Sequence, residues 1–177
     1  MTNKSFYIEA LNRTDAYGLN TFMRSNVKQF VTYLPNTLSK NLKLQGSKDY
    51  IEDQLKKEFK KTEFTFTLKD SNSKKIIGLI ILKELNWDTK QGEFAYCIDK
   101  KETQKGLMTQ AIKDMSLYAF NTLQLKTLQI ITNKSNIGST KVATNCGFIW
   151  KSTLKNEYTP PNATSLDMEL YELHHER

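Results

Sequence analysis

The amino-acid sequence predicts a mixed α/β fold: a mostly antiparallel sheet flanked by helices. Three observations carry this reading. Strand-like segments at residues 64–68, 76–85 and 92–99 follow one another with only turn chemistry between them, as in an antiparallel meander. A helical stripe from 107 to about 123 and a short apolar strand at 128–131 come next, which sets one strand-helix-strand unit within that sheet. At 177 residues, 38% hydrophobic and 25% charged, the chain has the size and composition of a single globular domain, residues 1–177, and no linker, repeat or low-complexity stretch interrupts it.

The elements are justified in order. Residues 6–11 alternate like a strand. Thr14 or Asp15 then caps a helix that runs to about Tyr33 and stops before Pro35. Ser47 caps a second helix, from 48 to about 61, with Tyr50, Ile51, Leu55 and Phe59 on one stripe and lysines opposite. Residues 64–68 alternate cleanly, and Asp70-Ser71-Asn72-Ser73 is a turn by composition. Trp87-Asp88-Thr89 turns the chain between the next two strands, and 100–106 is a polar loop. In the following helix Met108, Ala111, Ile112, Met115 and Ala119 recur at helical spacing. A short helix spans 139–145 and ends at Gly147. Residues 148–150 begin a further strand, and 166–173 closes the sheet after a loop carrying Pro160 and Pro161.

Composition excludes several function classes. The longest apolar run, 76–82, is too short to span a bilayer. No basic segment followed by an apolar stretch opens the chain, so a cytoplasmic protein is expected. Cys97 and Cys146 have neither disulfide-framework nor metal spacing and read as buried structural thiols, and His174 and His175 sit within the last four residues; no metal site is expected. The net charge is +7, yet only three of the 26 basic residues are arginines, Arg13, Arg24 and Arg177. Base readout and bidentate phosphate contacts favour arginine, so a solvated lysine surface is expected rather than direct nucleic-acid binding. A phosphate-bearing ligand also suits this balance.

The chemistry gathers at the loop that ends in Thr103-Gln104-Lys105-Gly106 and the helix start Leu107-Met108-Thr109. The first amides of a helix lack internal partners and carry partial positive charge, and a glycine there lets a backbone approach a phosphate. Glu93-Phe94-Ala95-Tyr96-Cys97-Ile98-Asp99 followed by Gln104-Lys105-Gly106-Leu107-Met108-Thr109-Gln110-Ala111 resembles the acetyl-CoA motif of the GNAT superfamily, in particular the ribosomal-protein N-terminal acetyltransferase group (RimJ/RimL type). A second block, Asn136-Ile137-Gly138-Ser139 to Gly147-Phe148, matches that group's Asn-x-x-Ser, seven residues, Gly-Phe. Asp167-Met168-Glu169-Leu170-Tyr171 is a third, weaker match. The loop departs from the family pattern at Thr103, Gln104 and Met108; Met108 either stands near the pyrophosphate or joins the helix stripe in the core.

The resemblance implies an N-acetyltransferase that moves an acetyl group from acetyl-CoA to an amine by direct transfer, the acceptor being a protein N-terminal α-amine or a small amine. It implies that Gln104, Lys105, Gly106, Leu107, Met108 and Thr109 hold the phosphates, and that the pantetheine arm lies along Tyr96, Cys97 and Ile98, where a backbone N–H serves the oxyanion. Asn136 contacts the pantetheine or orders its loop. Glu93 is the candidate general base, directly or through a water; the plainer reading is an exposed strand glutamate paired with a lysine. Ser139 is the candidate that protonates the leaving thiolate; the plainer reading is a helix N-cap, and one residue can be both. The tyrosine that does this work in many GNAT enzymes is replaced here by Ala143. Two rival readings are a non-catalytic acetyl-CoA-binding module and a basic ribosome- or RNA-surface binder.

Overall fold

In the computed structural model the described residues are 5–160 and 164–175; residues 1–4, Pro161 of the Pro160-Pro161 loop and Arg177 lie outside them. The described residues form a seven-stranded sheet in the order β1-β2-β3-β4-β5-β7-β6. Its strands are β1 Phe6–Ala10, β2 Phe64–Asp70, β3 Ile76–Asn86, β4 Gln91–Ile98, β5 Thr127–Thr132, β6 Ile149–Tyr158 and β7 Leu166–His174. The consecutive neighbours β2-β3-β4 are the expected meander. β5 runs parallel to β4, and the pairs β1·β2, β5·β7 and β6·β7 are antiparallel. The chain clusters into two compact units, one of residues up to Ile81 with Tyr96–Lys105, the other of Leu82–Ala95 with Gly106 onward.

In the first unit the segment between β1 and β2 forms four helices, not the two expected. They are α1 Ala16–Ser25, α2 Val27–Tyr33, α3 Pro35–Lys40 and α4 Leu44–Phe59. Asp15 stands at the N-cap position of α1, one of the two expected, but its side chain makes no cap hydrogen bond to that helix. Asn12 accepts from the Thr14 N–H at 3.0 Å and donates its own N–H to Asp15 at 3.1 Å, closing a capping box around a 3₁₀ turn. The expected single helix breaks at Asn26. Pro35 does not bar helix formation. It starts α3, at a position where its missing N–H costs nothing. α4 begins before Ser47, whose N–H already donates to the Lys43 carbonyl at 3.1 Å, so Ser47 lies inside the first turn and caps nothing.

The stripe of α4 also differs from expectation. Tyr50, Ile51 and Gln54 are buried, whereas Phe59 at the helix end is 90% exposed. The cause lies in β2, whose outward threonines are buried as well: Gln54 Nε2 donates to Thr65 Oγ1 at 2.7 Å, so a polar residue takes the inward place. Lys69 continues that face, buried between Glu9 at 2.5 Å and Asp15 at 2.7 Å. β2 therefore alternates in chemistry but not in burial. The apolar core of this unit gathers Leu19, Phe22, Met23, Ile51, Leu68 and Leu79.

In the second unit α5 spans Leu107–Asn121 and α6 spans Ile137–Asn145. Met108, Ala111, Ile112, Met115 and Ala119 are all buried, as their spacing requires. Gly147 follows α6 at φ +87°, the left-handed conformation that ends a helix and favours glycine. The last strand does not close the sheet at its edge. β7 inserts between β5 and β6, with Ile130 opposite Tyr171 and Trp150 opposite Tyr171 on its other side.

Candidate active site

Glu93 lies in β4 of the second unit between Gly92 and Phe94, all three buried. A Cβ on Gly92 would stand 3.0 Å from Leu85, 3.1 Å from Leu82 and 3.3 Å from Leu125, so the strand packs closely against the ends of these leucines. Glu93 is 8% exposed, and Lys83 Nζ lies 3.0 Å from its Oε1. Burial pushes the carboxyl above the usual carboxylate range, with smaller contributions from Glu84 and Glu157, while Lys83 pulls it back. The two sequence readings of Glu93 thus combine: it is buried with raised proton affinity, and it is paired with a lysine. Gln129 stands opposite Glu93 in the β4·β5 register and continues a polar row, accepting from Gln91 at 3.0 Å and donating to Glu172 at 2.9 Å.

The expected N-cap role of Ser139 belongs to Asn136. Its Oδ1 accepts from the Ser139 N–H at 3.2 Å, so α6 starts two residues earlier than expected and Ser139 is half-buried in its first turn. Ala143 is fully buried, and no side-chain acid stands at that position. Glu93 sits opposite Gln129, and β5 continues to Thr132 before α6 begins.

At the start of α5, Gly106 takes φ +75°, and no side chain caps the helix. A Cβ on Gly106 would meet nothing within 4 Å, which leaves open space in front of the backbone. Met108 is 5% exposed and packs in the core, so its bulk is removed from that opening. Leu107 and Thr109 are half-buried, and the Thr109 carbonyl accepts from the Cys146 thiol at 3.3 Å. An uncapped helix start with open space before it fits a phosphate group.

The remaining predicted residues lie in the first unit. Cys97 is buried and its thiol is pushed up by desolvation, so only its main chain can serve a ligand. The Asp99 N–H donates to Ile77 on β3 at 2.8 Å, and strand alternation therefore turns the N–H and C=O of Ile98 away from β3. Tyr96 and Ile98 are half-buried. After β4, Asp99 caps a short 3₁₀ turn by accepting from the Lys101 N–H at 2.8 Å. Gln104 takes φ +64°, and Lys105 pairs with Glu102 at 2.9 Å, both exposed on the loop.

Three residues went unread in the sequence. Lys83 falls on the side of β3 that otherwise carries Ile77, Leu79 and Ile81, so its pairing with Glu93 depends on cross-strand register. Asn26, buried at the α1–α2 break, accepts from the Lys100 N–H at 3.0 Å and donates to Asp99 at 3.3 Å, tying the helices to the loop. Gln29 on α2 donates to the Ile98 carbonyl at 3.3 Å. The break at Asn26 was the available signal, since asparagine favours helix ends over helix interiors. Among the described residues no group of three His, Cys, Asp or Glu is placed to hold a metal ion, and no helix is long and apolar enough to cross a membrane.

Comparison with known proteins agrees with this geometry. The model of the acetyltransferase (GNAT) domain family matches residues 6–149. A probable N-acetyltransferase of Bacillus subtilis, YjcK, is 26% identical over 152 residues, covering 84% of this chain and 82% of that protein. Among solved structures, the ribosomal-protein-S5-alanine acetyltransferase from Vibrio fischeri superposes with a TM-score of 0.91 at 19% identity, over 99% of this chain and 96% of that one. The spermidine N-acetyltransferase from Vibrio cholerae, solved with CoA and spermine, gives a TM-score of 0.80 at 21% identity, over 97% and 96% of the two chains. At such identities these two structures speak for the fold.

Proposed function

Since the chain belongs to the acetyltransferase (GNAT) domain family and moves an acetyl group from acetyl-CoA to an amine, we propose that Glu93 is its general base, that Ser139 serves the leaving thiolate and that transfer is direct. The observation that carries this reading is the environment of Glu93: a carboxyl buried enough to hold a proton more tightly than usual, yet kept ionisable by Lys83 at 3.0 Å. A base of raised proton affinity suits an acceptor that must shed a proton near neutral pH.

We assign the phosphates to the helix start at Gly106, Leu107, Met108 and Thr109 and to Gln104 and Lys105 before it. The pantetheine arm is assigned to the backbone of Tyr96, Cys97 and Ile98, and to Asn136. Glu93 takes the amine proton, directly or through one water. The nitrogen lone pair attacks the thioester carbonyl carbon, and a strand N–H among Tyr96–Ile98 holds the oxygen that gains charge. The carbon–sulfur bond then breaks with its electron pair going to sulfur; Ser139 donates its hydroxyl proton to the sulfur and recovers one from the nitrogen, which sheds its second proton as it becomes an amide, so no alkoxide is left. The acceptor is a primary amine, a protein N-terminal α-amine or a small amine. Residues 1–177 act as one acetyltransferase domain, and its place is the cytoplasm.

Glu93→Gln tests the assignment. It keeps the shape and removes the base, so turnover near neutral pH should fall about 10²–10⁴-fold, and the loss should shrink at high pH where the amine is already neutral. Parent-like turnover at every pH would remove Glu93 from the mechanism.

A further inference from the structure

Gly92 and Glu93 are successive residues of β4, so they face opposite sides of the sheet. Lys83 Nζ reaches Glu93 Oε1 at 3.0 Å, which sets Lys83 on the Glu93 face. A Cβ on Gly92 would meet Leu85 at 3.0 Å and Leu82 at 3.1 Å, so both leucines stand on the Gly92 face. Leu82 and Leu85 are three positions apart in β3. A regular strand repeats every two residues and cannot put both on one face, so β3 holds one extra residue between them. Glu84 is that residue: its φ is +49°, the left-handed conformation that a side chain adopts only at a cost. The result is a β-bulge, a device that re-aims side chains. Without it Leu85 would fall on the Glu93 face, next after Lys83. With it Leu85 joins Leu82 and Leu125 around Gly92, and the exposed Glu84 bears on Glu93 instead.

Resting on the reading of Glu93 as the base, we propose that Glu84 is a positioning residue for it: the left-handed bulge keeps Leu85 off the face of the base and sets a second carboxylate beside it. That carboxylate opposes the negative charge of ionised Glu93 and makes it hold a proton more firmly, against the pull of Lys83. The charged groups that bear on Glu93 are Lys83 and Glu84 of β3 and Glu157 of β6; Gln129, opposite on β5, is uncharged. Stability alone would favour glycine at position 84, since glycine takes a positive φ without penalty.

The test is a carbon-13 NMR titration of the glutamate carboxyls in the full chain, with the Glu93 signal assigned by its absence in Glu93→Gln. Glu84→Gln removes the charge, and Glu84→Gly removes it while keeping the bulge without strain. Both should lower the titration midpoint of Glu93 by about 0.5 pH unit, and Glu84→Gly should hold the melting midpoint. Glu84→Val disfavours the left-handed turn and returns Leu85 to the face of the base. It should raise the Glu93 midpoint instead, with melting lower by about 2–4 °C. A Glu93 midpoint unmoved in both Glu84→Gln and Glu84→Gly overturns the proposal, as does a lowered one in Glu84→Val. If Glu84→Val does not fold, the other two variants decide. The base reading fails separately: it falls if Glu93→Gln keeps the parent's turnover, whatever the titration shows.

Discussion

Lys83 and Glu93 pull one proton in opposite directions, and the balance sets the pH range of the base. Burial raises the Glu93 proton affinity and Lys83 lowers it. Lys83→Met should therefore raise it further and move the rising limb of kcat to higher pH. An unmoved limb would mean that Lys83 is a bystander. Stability follows the same sign. A carboxyl whose folded pKa lies above its unfolded value contributes stability below the unfolded pKa, and that contribution is lost as pH rises through the folded one. Glu93→Gln at neutral pH should thus hold or raise the melting midpoint while it lowers turnover, and a clear fall in midpoint would contradict the burial account. Ser139 and Asn136 separate in the same way. Asn136→Ala removes the observed cap and should cost about 1 kcal/mol. Ser139→Ala leaves that cap in place and should stay within about 0.5 kcal/mol of the parent while turnover drops. Glu93 was legible because a motif marked it. Lys83 and Gln29 were not, because each meets its partner only through strand register or the packing of an early helix.

At the scale of elements, periodicity was a good guide wherever one face alone is buried. All five stripe residues named for α5 are buried, and its start lies at Leu107 as read. Periodicity failed where polar groups are buried on both sides, as in β2 and on α4, because side-chain hydrogen bonds such as Gln54 to Thr65 stand in for apolar packing. The helix start at Gly106 carries its own prediction. The space in front of Gly106 is open to a Cβ, but in Gly106→Val a β-branched residue at φ +75° costs about 1–2 kcal/mol. Acetyl-CoA affinity should fall as well, since the added branch fills the opening assigned to phosphate. Equal affinity in Gly106→Val and parent, measured by calorimetry, would mean the phosphates bind elsewhere.

For the whole molecule, the strand–helix order announced the fold class, but not the place of β7 between β5 and β6. That insertion rests on pairings between residues about 40 apart, such as Thr132 with Glu169 and Thr127 with His174, which local pattern does not encode. The +7 charge, carried mostly by lysine, fits a protein that takes a phosphate-rich co-substrate. Acetyl-CoA at 100 times its dissociation constant should add about 2.7 kcal/mol, a midpoint rise of about 5–10 °C for a chain of this length. The central claim, acetyl transfer to an amine, is tested most directly by incubating the protein with acetyl-CoA and a panel of amines and α-amino peptides and reading the products by mass. The account predicts an acceptor heavier by one acetyl group, one thiol released for each acetyl moved, and loss of both in Glu93→Gln near neutral pH. A folded protein that binds acetyl-CoA yet acetylates none of the panel at any pH would contradict it.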